Sequence, residues 1–246
     1  MTLIVVLRCE DGIVLATDGK ETHQTLGAGD LNAPYSVDKI YALTPNIVWS
    51  AAGHVGEIQA LTKALVTLVD DNGAASLASL APGINRIAKE RAHAQRQWYG
   101  DSKDRPKAWL LFAEWRDGRA TILAVDENGG LVDKSSKWCA TEGDSEIVLY
   151  PTLHRYGSRG LDLSLEETAI LAYRIMREAI CAAPLLGDPI CMAIAKGGSG
   201  QETVTRVDET GMARIGKAYE HWRAGDITAL GDAASEDKSA PDLYED

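Results

Sequence analysis

The chain opens on an apolar, β-branched run at residues 3–7, and a second run returns at 13–16. Between them Glu10-Asp11-Gly12 predicts a tight turn, because Asp-Gly supplies the positive φ of a two-residue hairpin. Chain ends are usually loose, so a strand that starts at residue 3 has to be held by a sheet. Gly27, Gly29, Asn32 and Pro34 break any period across 19–36 and predict a loop. Residues 37–43 and 47–52 read as a second strand pair around Thr44-Pro45-Asn46. After Gly53 the apolar spacing changes to three and four. Val55, Ile58, Leu61, Leu65 and Leu68 predict a helix stopped by Asp70-Asp71-Asn72-Gly73. Leu77, Leu80, Ile84, Ile87 and Ala88 predict another, with a kink or break expected at Pro82-Gly83.

Strands resume at 108–115 and 120–125 around a second Asp-Gly turn, Arg116-Asp117-Gly118, and again at 131–133 and 137–140. Residues 145–156 are moderately helical. Ser164-Leu165-Glu166-Glu167 has the pattern of a capping box, and Leu171, Ile175, Ala179 and Ala182 give the helix behind it an apolar face ending at Pro184. Residues 190–195 and 203–207 read as strands, with Asp208-Glu209-Thr210-Gly211 as a turn. The order is strands, two helices, strands, two helices, strands. It predicts an α+β chain of four layers, an αββα sandwich with two antiparallel sheets between helix pairs. Residues 1–224 form the expected domain. Beyond it Ala, Gly, Ser, Asp and Glu dominate, and 225–246 read as a mobile acidic tail.

Charge narrows the choice of partners. A formal net charge of −11 argues against nucleic acid, whose phosphates want clustered Lys and Arg. No apolar run approaches the length of a membrane-spanning helix, so no membrane partner is expected. Residues 1–7 show no basic leader and no small-residue cleavage site, which makes the cytoplasm the expected compartment. Cys9, Cys139, Cys181 and Cys191 are scattered without a CxxC pair and fit mostly buried positions in a reducing compartment. There is no Walker loop, no GxGxxG after a strand, no HExxH and no GxSxG, and neither cofactor nor metal is expected. Gly197-Gly198-Ser199-Gly200 reads as a hairpin loop, and His54 as a polar residue at a helix start.

The remaining candidate chemistry is at the N-terminus. Removal of Met1 would leave Thr2 with a hydroxyl and a free α-amine on one residue. A hydroxyl is a weak nucleophile until a base takes its proton, and an α-amine with a reference pKa near 7.7–8.0 is a base close to working pH. Such a site needs a Lys to polarise the hydroxyl and an Asp to hold that Lys. Asp18 ends the second strand and Lys39 opens the next strand pair, so paired strands can bring both to residue 2.

These residues carry a resemblance. Thr2, the segment Asp11-Gly12-Ile13-Val14-Leu15-Ala16-Thr17-Asp18-Gly19-Lys20, then Lys39-Ile40-Tyr41-Ala42-Leu43 and Ala51-Ala52-Gly53 resemble the proteasome β-subunit and HslV-type peptidase family of N-terminal-nucleophile hydrolases. Asp162-Leu163-Ser164-Leu165-Glu166-Glu167-Thr168-Ala169 is similar to a helix opening of that family. The resemblance implies the N-terminal-nucleophile hydrolase fold and a threonine peptidase. Thr2 would be nucleophile and, through its amine, general base. Lys39 would lower the local pKa, Asp18 would orient Lys39, and the Gly53 N–H would face the oxyanion. Lys20 stands where the family usually has Arg and, with Ala51 in the specificity pocket, is assigned to substrate binding. Thr141-Glu142-Gly143-Asp144-Ser145 stands where a Gly-Ser-Gly segment is usual, and Ser145 is the candidate supporting Ser; at 182–188 only Asp188 offers a match. These departures suggest a divergent bacterial relative. The resemblance also implies self-association into a ring or related assembly, a polypeptide substrate and an ATP-dependent unfoldase partner. An inactive scaffold subunit or a small-molecule amidase on the same fold are the alternatives.

Overall fold

The computed structural model describes residues 2–21, 35–36, 38–73, 76–142, 162–196 and 203–223. Twelve strands and four helices are described: β1 (Ile4–Arg8), β2 (Gly12–Asp18), β3 (Lys20–Glu21), β4 (Tyr35–Ser36), β5 (Ile40–Thr44), β6 (Ile47–Gly53), α1 (Val55–Asn72), α2 (Leu77–Tyr99), β7 (Ala108–Arg116), β8 (Arg119–Val125), β9 (Leu131–Asp133), β10 (Cys139–Glu142), α3 (Leu165–Ala182), β11 (Ile190–Lys196), β12 (Val204–Arg206) and α4 (Glu209–Arg223). They build two antiparallel five-stranded sheets. Sheet I has the order β10-β1-β2-β11-β12 and sheet II the order β5-β6-β7-β8-β9, while β3 and β4 form a small separate ribbon.

Side-chain alternation along the strands explains the layering. Ile4, Val6, Ile13 and Leu15 of sheet I meet Val48, Ala52, Leu111 and Ala113 of sheet II in the core between the sheets. The intervening residues Leu3, Val5, Val14 and Ala16 face outward onto α3 and α4. On the far side Ile47, Trp49, Ala51 and Phe112 pack on Leu61 and Leu65 of α1 and Leu80 and Ile84 of α2. Strands β1 and β2 are thus apolar on both faces because both faces are covered. The fold is the expected αββα sandwich.

Several elements differ from the sequence reading. Residues 208–211 are not a turn after the last strand but the start of a helix: Asp208 caps α4, its carboxylate accepting the Gly211 N–H at 2.7 Å and its carbonyl the Met212 N–H at 2.9 Å. The same short side chain serves turns and helix N-termini, so residue type alone does not separate the two. It is α4 that packs beside α3, through Ile215, Tyr219 and Trp222. Pro82-Gly83 does not break α2, which runs from Leu77 to Tyr99. Gly83 instead marks a close approach, since a Cβ there would lie 2.5 Å from Leu68 of α1. The Asp-Gly turn holds at Asp117-Gly118, both at positive φ, but Gly12 is not among the positive-φ glycines. It is already in β2, and a Cβ on it would lie 2.5 Å from the Ala195 carbonyl. The first strand of the second pair begins at Ile40 rather than at residue 37, and the expected loop 19–36 carries the β3–β4 pairing at its base. No disulfide joins the four cysteines, and against the mostly buried positions expected only Cys9 is buried, Cys139 and Cys191 being half-buried and Cys181 exposed. The helix expected at 145–156, the glycine-rich loop 197–200 and the tail 225–246 lie outside the described residues.

Candidate active site

Thr2 sits two residues ahead of the first residue of β1, buried at 8% exposure. Residue 3 fixes it there. The Leu3 N–H donates to Asp18 Oδ1 at 2.9 Å, and the Leu3 carbonyl accepts from Thr17 Oγ1 at 2.9 Å. These contacts extend the β1–β2 register, in which Ile4 pairs with Thr17. The end of β2 therefore grips the chain one residue after Thr2.

Lys39 arrives from the other sheet, one residue ahead of β5. Its ammonium donates to Thr2 Oγ1 at 3.0 Å, to Asp18 Oδ2 at 3.1 Å and to the Lys20 carbonyl at 2.6 Å. These acceptors match the three protons of an ammonium group, so its orientation is over-determined. Asp18 is fully buried and divides its oxygens between the Leu3 N–H and Lys39. Burial pushes its carboxyl above the ordinary value, against the Lys39 charge and the Leu3 N–H, which favour the ionised form.

Thr2, Asp18 and Lys39 are thus in direct contact, and Lys20 joins them through its backbone. The Lys20 ammonium goes elsewhere, donating to the Pro184 carbonyl at 2.9 Å. Gly53 closes β6 at φ 118°, and a Cβ on it would lie 2.2 Å from the Lys107 carbonyl, so glycine alone fits. The next residue, His54, donates its N–H to that carbonyl at 2.8 Å. Its ring is exposed at the start of α1 and makes no capping hydrogen bond. Ile40 pairs with Ser50, and carrying that register one residue further sets Lys39 beside Ala51. Ala51 itself is buried against α1 and α2. Asp188 pairs with Arg177 at 2.7 Å. Ser145 lies outside the described residues. Sequence reasoning missed the Lys20 carbonyl and the Thr17 hydroxyl. The carbonyl is backbone and has no residue signature, and Thr17 is an ordinary strand residue by type. Among the described residues no group of His, Cys, Asp and Glu is arranged to hold a metal ion.

This arrangement can polarise a hydroxyl and hold a proton-sharing network beside Thr2. Comparison with known proteins supplies the family. A family model described as "Proteasome subunit" matches residues 2–195. The proteasome subunit beta of Methanocaldococcus vulcanius is 25% identical over 196 residues, covering 78% of this chain and 81% of the relative. The proteasome subunit beta of Methanocaldococcus jannaschii is 25% identical over 195 residues, covering 78% and 80%. With the αββα layers in place and the family model spanning both sheets as far as β11, the chain belongs to the proteasome subunit family.

Proposed function

We propose that the chain is a threonine-type endopeptidase subunit that hydrolyses polypeptide after Met1 is removed. The observation that carries the reading is the Lys39 ammonium, 3.0 Å from Thr2 Oγ1 and paired with the buried Asp18. While Met1 is attached, the Thr2 nitrogen is an amide and cannot act as a base. Once freed, its amine takes the Oγ1 proton as the oxygen attacks the substrate carbonyl carbon. Lys39 stabilises the developing negative charge on Oγ1, and Asp18 keeps the ammonium aimed. The Gly53 N–H is assigned to the tetrahedral oxyanion. Collapse passes the proton to the leaving amine and leaves an ester on Thr2, which water, deprotonated by the same amine, hydrolyses. Lys20 and Ala51 are assigned to the substrate side, and Ser145 to support of the nucleophile.

A permanently reactive terminus is tolerable inside an enclosed chamber, so the same reading includes self-association into a ring or related assembly, in the cytoplasm, fed by an ATP-dependent unfoldase. The relatives' designation as proteasome beta subunits supports it. The test is hydrolysis of a fluorogenic peptide by protein whose free Thr2 has been verified by mass. The parent cleaves, and Thr2→Ala loses the activity entirely. Undiminished cleavage by Thr2→Ala, or none by the parent, contradicts the proposal.

A further inference from the structure

The ladder of β5 begins at Ile40, so the lysine that reaches Thr2 stands just outside regular pairing. Its side chain is aimed by the contacts at its tip, but a side chain is only as well placed as its backbone. Two features fix that backbone. Asp38 turns its carboxylate around Lys39, and Oδ1 accepts the Ile40 N–H at 2.9 Å. Arg206, from the edge strand of the opposite sheet, then closes the loop: Nη1 donates to Asp38 Oδ2 and Nη2 to the Ile40 carbonyl. One guanidinium thus holds the residues on both sides of Lys39.

Arg206 is itself well anchored. It pairs with Ala193 of β11, and β11 pairs with β2, which ends in Asp18. Asp18 and Arg206 therefore belong to one sheet, while Lys39 leads into β5 of the other. Asp18 holds the lysine tip and Arg206 holds its backbone, both from sheet I. The same short strand grips the far end of β5, where the Val204 N–H donates to the Pro45 carbonyl at 2.8 Å. The three residues of β12 so bracket β5 from Asp38 to the turn at Pro45.

We propose that Arg206 is a positioning residue for Lys39, acting through the Asp38 carboxylate and the Ile40 carbonyl to hold the ammonium on the Thr2 hydroxyl. The proposal deepens the peptidase reading and rests on it for its kinetic consequences. Arg206 and Asp38 are each about half exposed, so the pair adds little to global stability. The planar fork is what the geometry uses: two nitrogens fixed in one plane reach the Asp38 carboxylate and the Ile40 carbonyl separately, whereas a lysine at this position would have to reach both acceptors from one nitrogen at the end of a flexible stem.

The experiment compares the parent with R206A, R206K, D38N and the double variant R206A/D38N, all with free Thr2. Peptide kinetics, thermal midpoints and the rate of native Lys39 reductive methylation with formaldehyde and borohydride, mapped by mass, are measured on each. R206A is expected to lower kcat by about 10- to 100-fold, the scale of an ångström-size misplacement, with KM and thermal midpoint nearly unchanged and Lys39 methylated faster. R206K recovers at most part of kcat, and the double variant is no worse than the more affected single, because the two residues act as one unit. Parent-like kcat in R206A, full recovery in R206K, or a kcat loss explained by a matching fall in thermal midpoint overturns the proposal. If the parent cleaves nothing, the peptidase reading fails by itself. Lys39 methylation then decides the positioning claim alone: faster modification in R206A supports it and equal rates overturn it.

Discussion

At the scale of single residues, the site is an ion pair that a folded chain has reason to avoid. Asp18 has no solvent exposure, and the Lys39 side chain has 10%. Desolvating two charges is costly, and their attraction compensates only when the remaining hydrogen-bonding capacity is filled. Here it is filled by the Leu3 N–H, the Thr2 hydroxyl and the Lys20 carbonyl. Removing one partner leaves the other buried without compensation, at a cost of about 3 to 5 kcal/mol. The cost in a lysine variant depends on pH. In Lys39→Met the main influence that lowers the Asp18 pKa is gone, so burial drives the carboxyl further up. A folded-state pKa above the unfolded one gives stability that is intact below the unfolded value and lost as pH rises through the folded value. Lys39→Met should therefore lose more stability, relative to the parent, at about pH 8 than at about pH 5. Urea midpoints at the two pH values check this, and equal losses at both would show that Asp18 is not the group responsible.

At the scale of elements, legibility depends on whether the signal is local. The capping box at Ser164 and Glu167 reads directly from its residue types, and the reciprocal bonds are present. The 117–118 hairpin likewise needs only its own dipeptide. Gly12 and Gly83 mislead a sequence reading because their meaning is set by distant partners, Ala195 and Leu68, rather than by their neighbours in sequence. The helix α4 is hidden for a different reason. Its apolar residues Met212, Ile215, Tyr219 and Trp222 do follow helical spacing, but Thr210-Gly211 and a polar surround give its opening the composition of a turn. Trp222 is fully buried, with the Arg174 guanidinium 4.2 Å from its ring centroid. The sheet I face is thus completed by a helix that starts after the last described strand. Trp222→Ala should cost about 3 to 5 kcal/mol, as large aromatic truncations in cores do. Denaturant unfolding followed by far-UV circular dichroism tests it, and a change below about 1 kcal/mol would mean that α4 is not part of the cooperative core.

At the scale of the whole molecule, two sheets share one apolar interior, and the candidate site is assembled where their strand ends come together. Sheet I supplies Thr2 and Asp18, while sheet II supplies Lys39. The residue types at this site are visible in the sequence, because a leading Thr, a strand-ending Asp and a strand-opening Lys are each placed by hairpin connectivity. What aims them is not visible there: backbone carbonyls, a strand Thr and an edge-strand Arg act through tertiary contacts alone. No described helix is long and apolar enough to cross a membrane. The central claim is that Thr2, once freed of Met1, is a nucleophile made reactive by Lys39. It is tested most directly by incubating the mass-verified protein with a threonine-directed electrophile such as a peptide epoxyketone and mapping the adduct. The account predicts one adduct, on Thr2, formed at least about 100-fold more slowly in Lys39→Ala, within the range of a positioned proton-transfer partner. An unmodified Thr2, or equal labelling in Lys39→Ala, would contradict it.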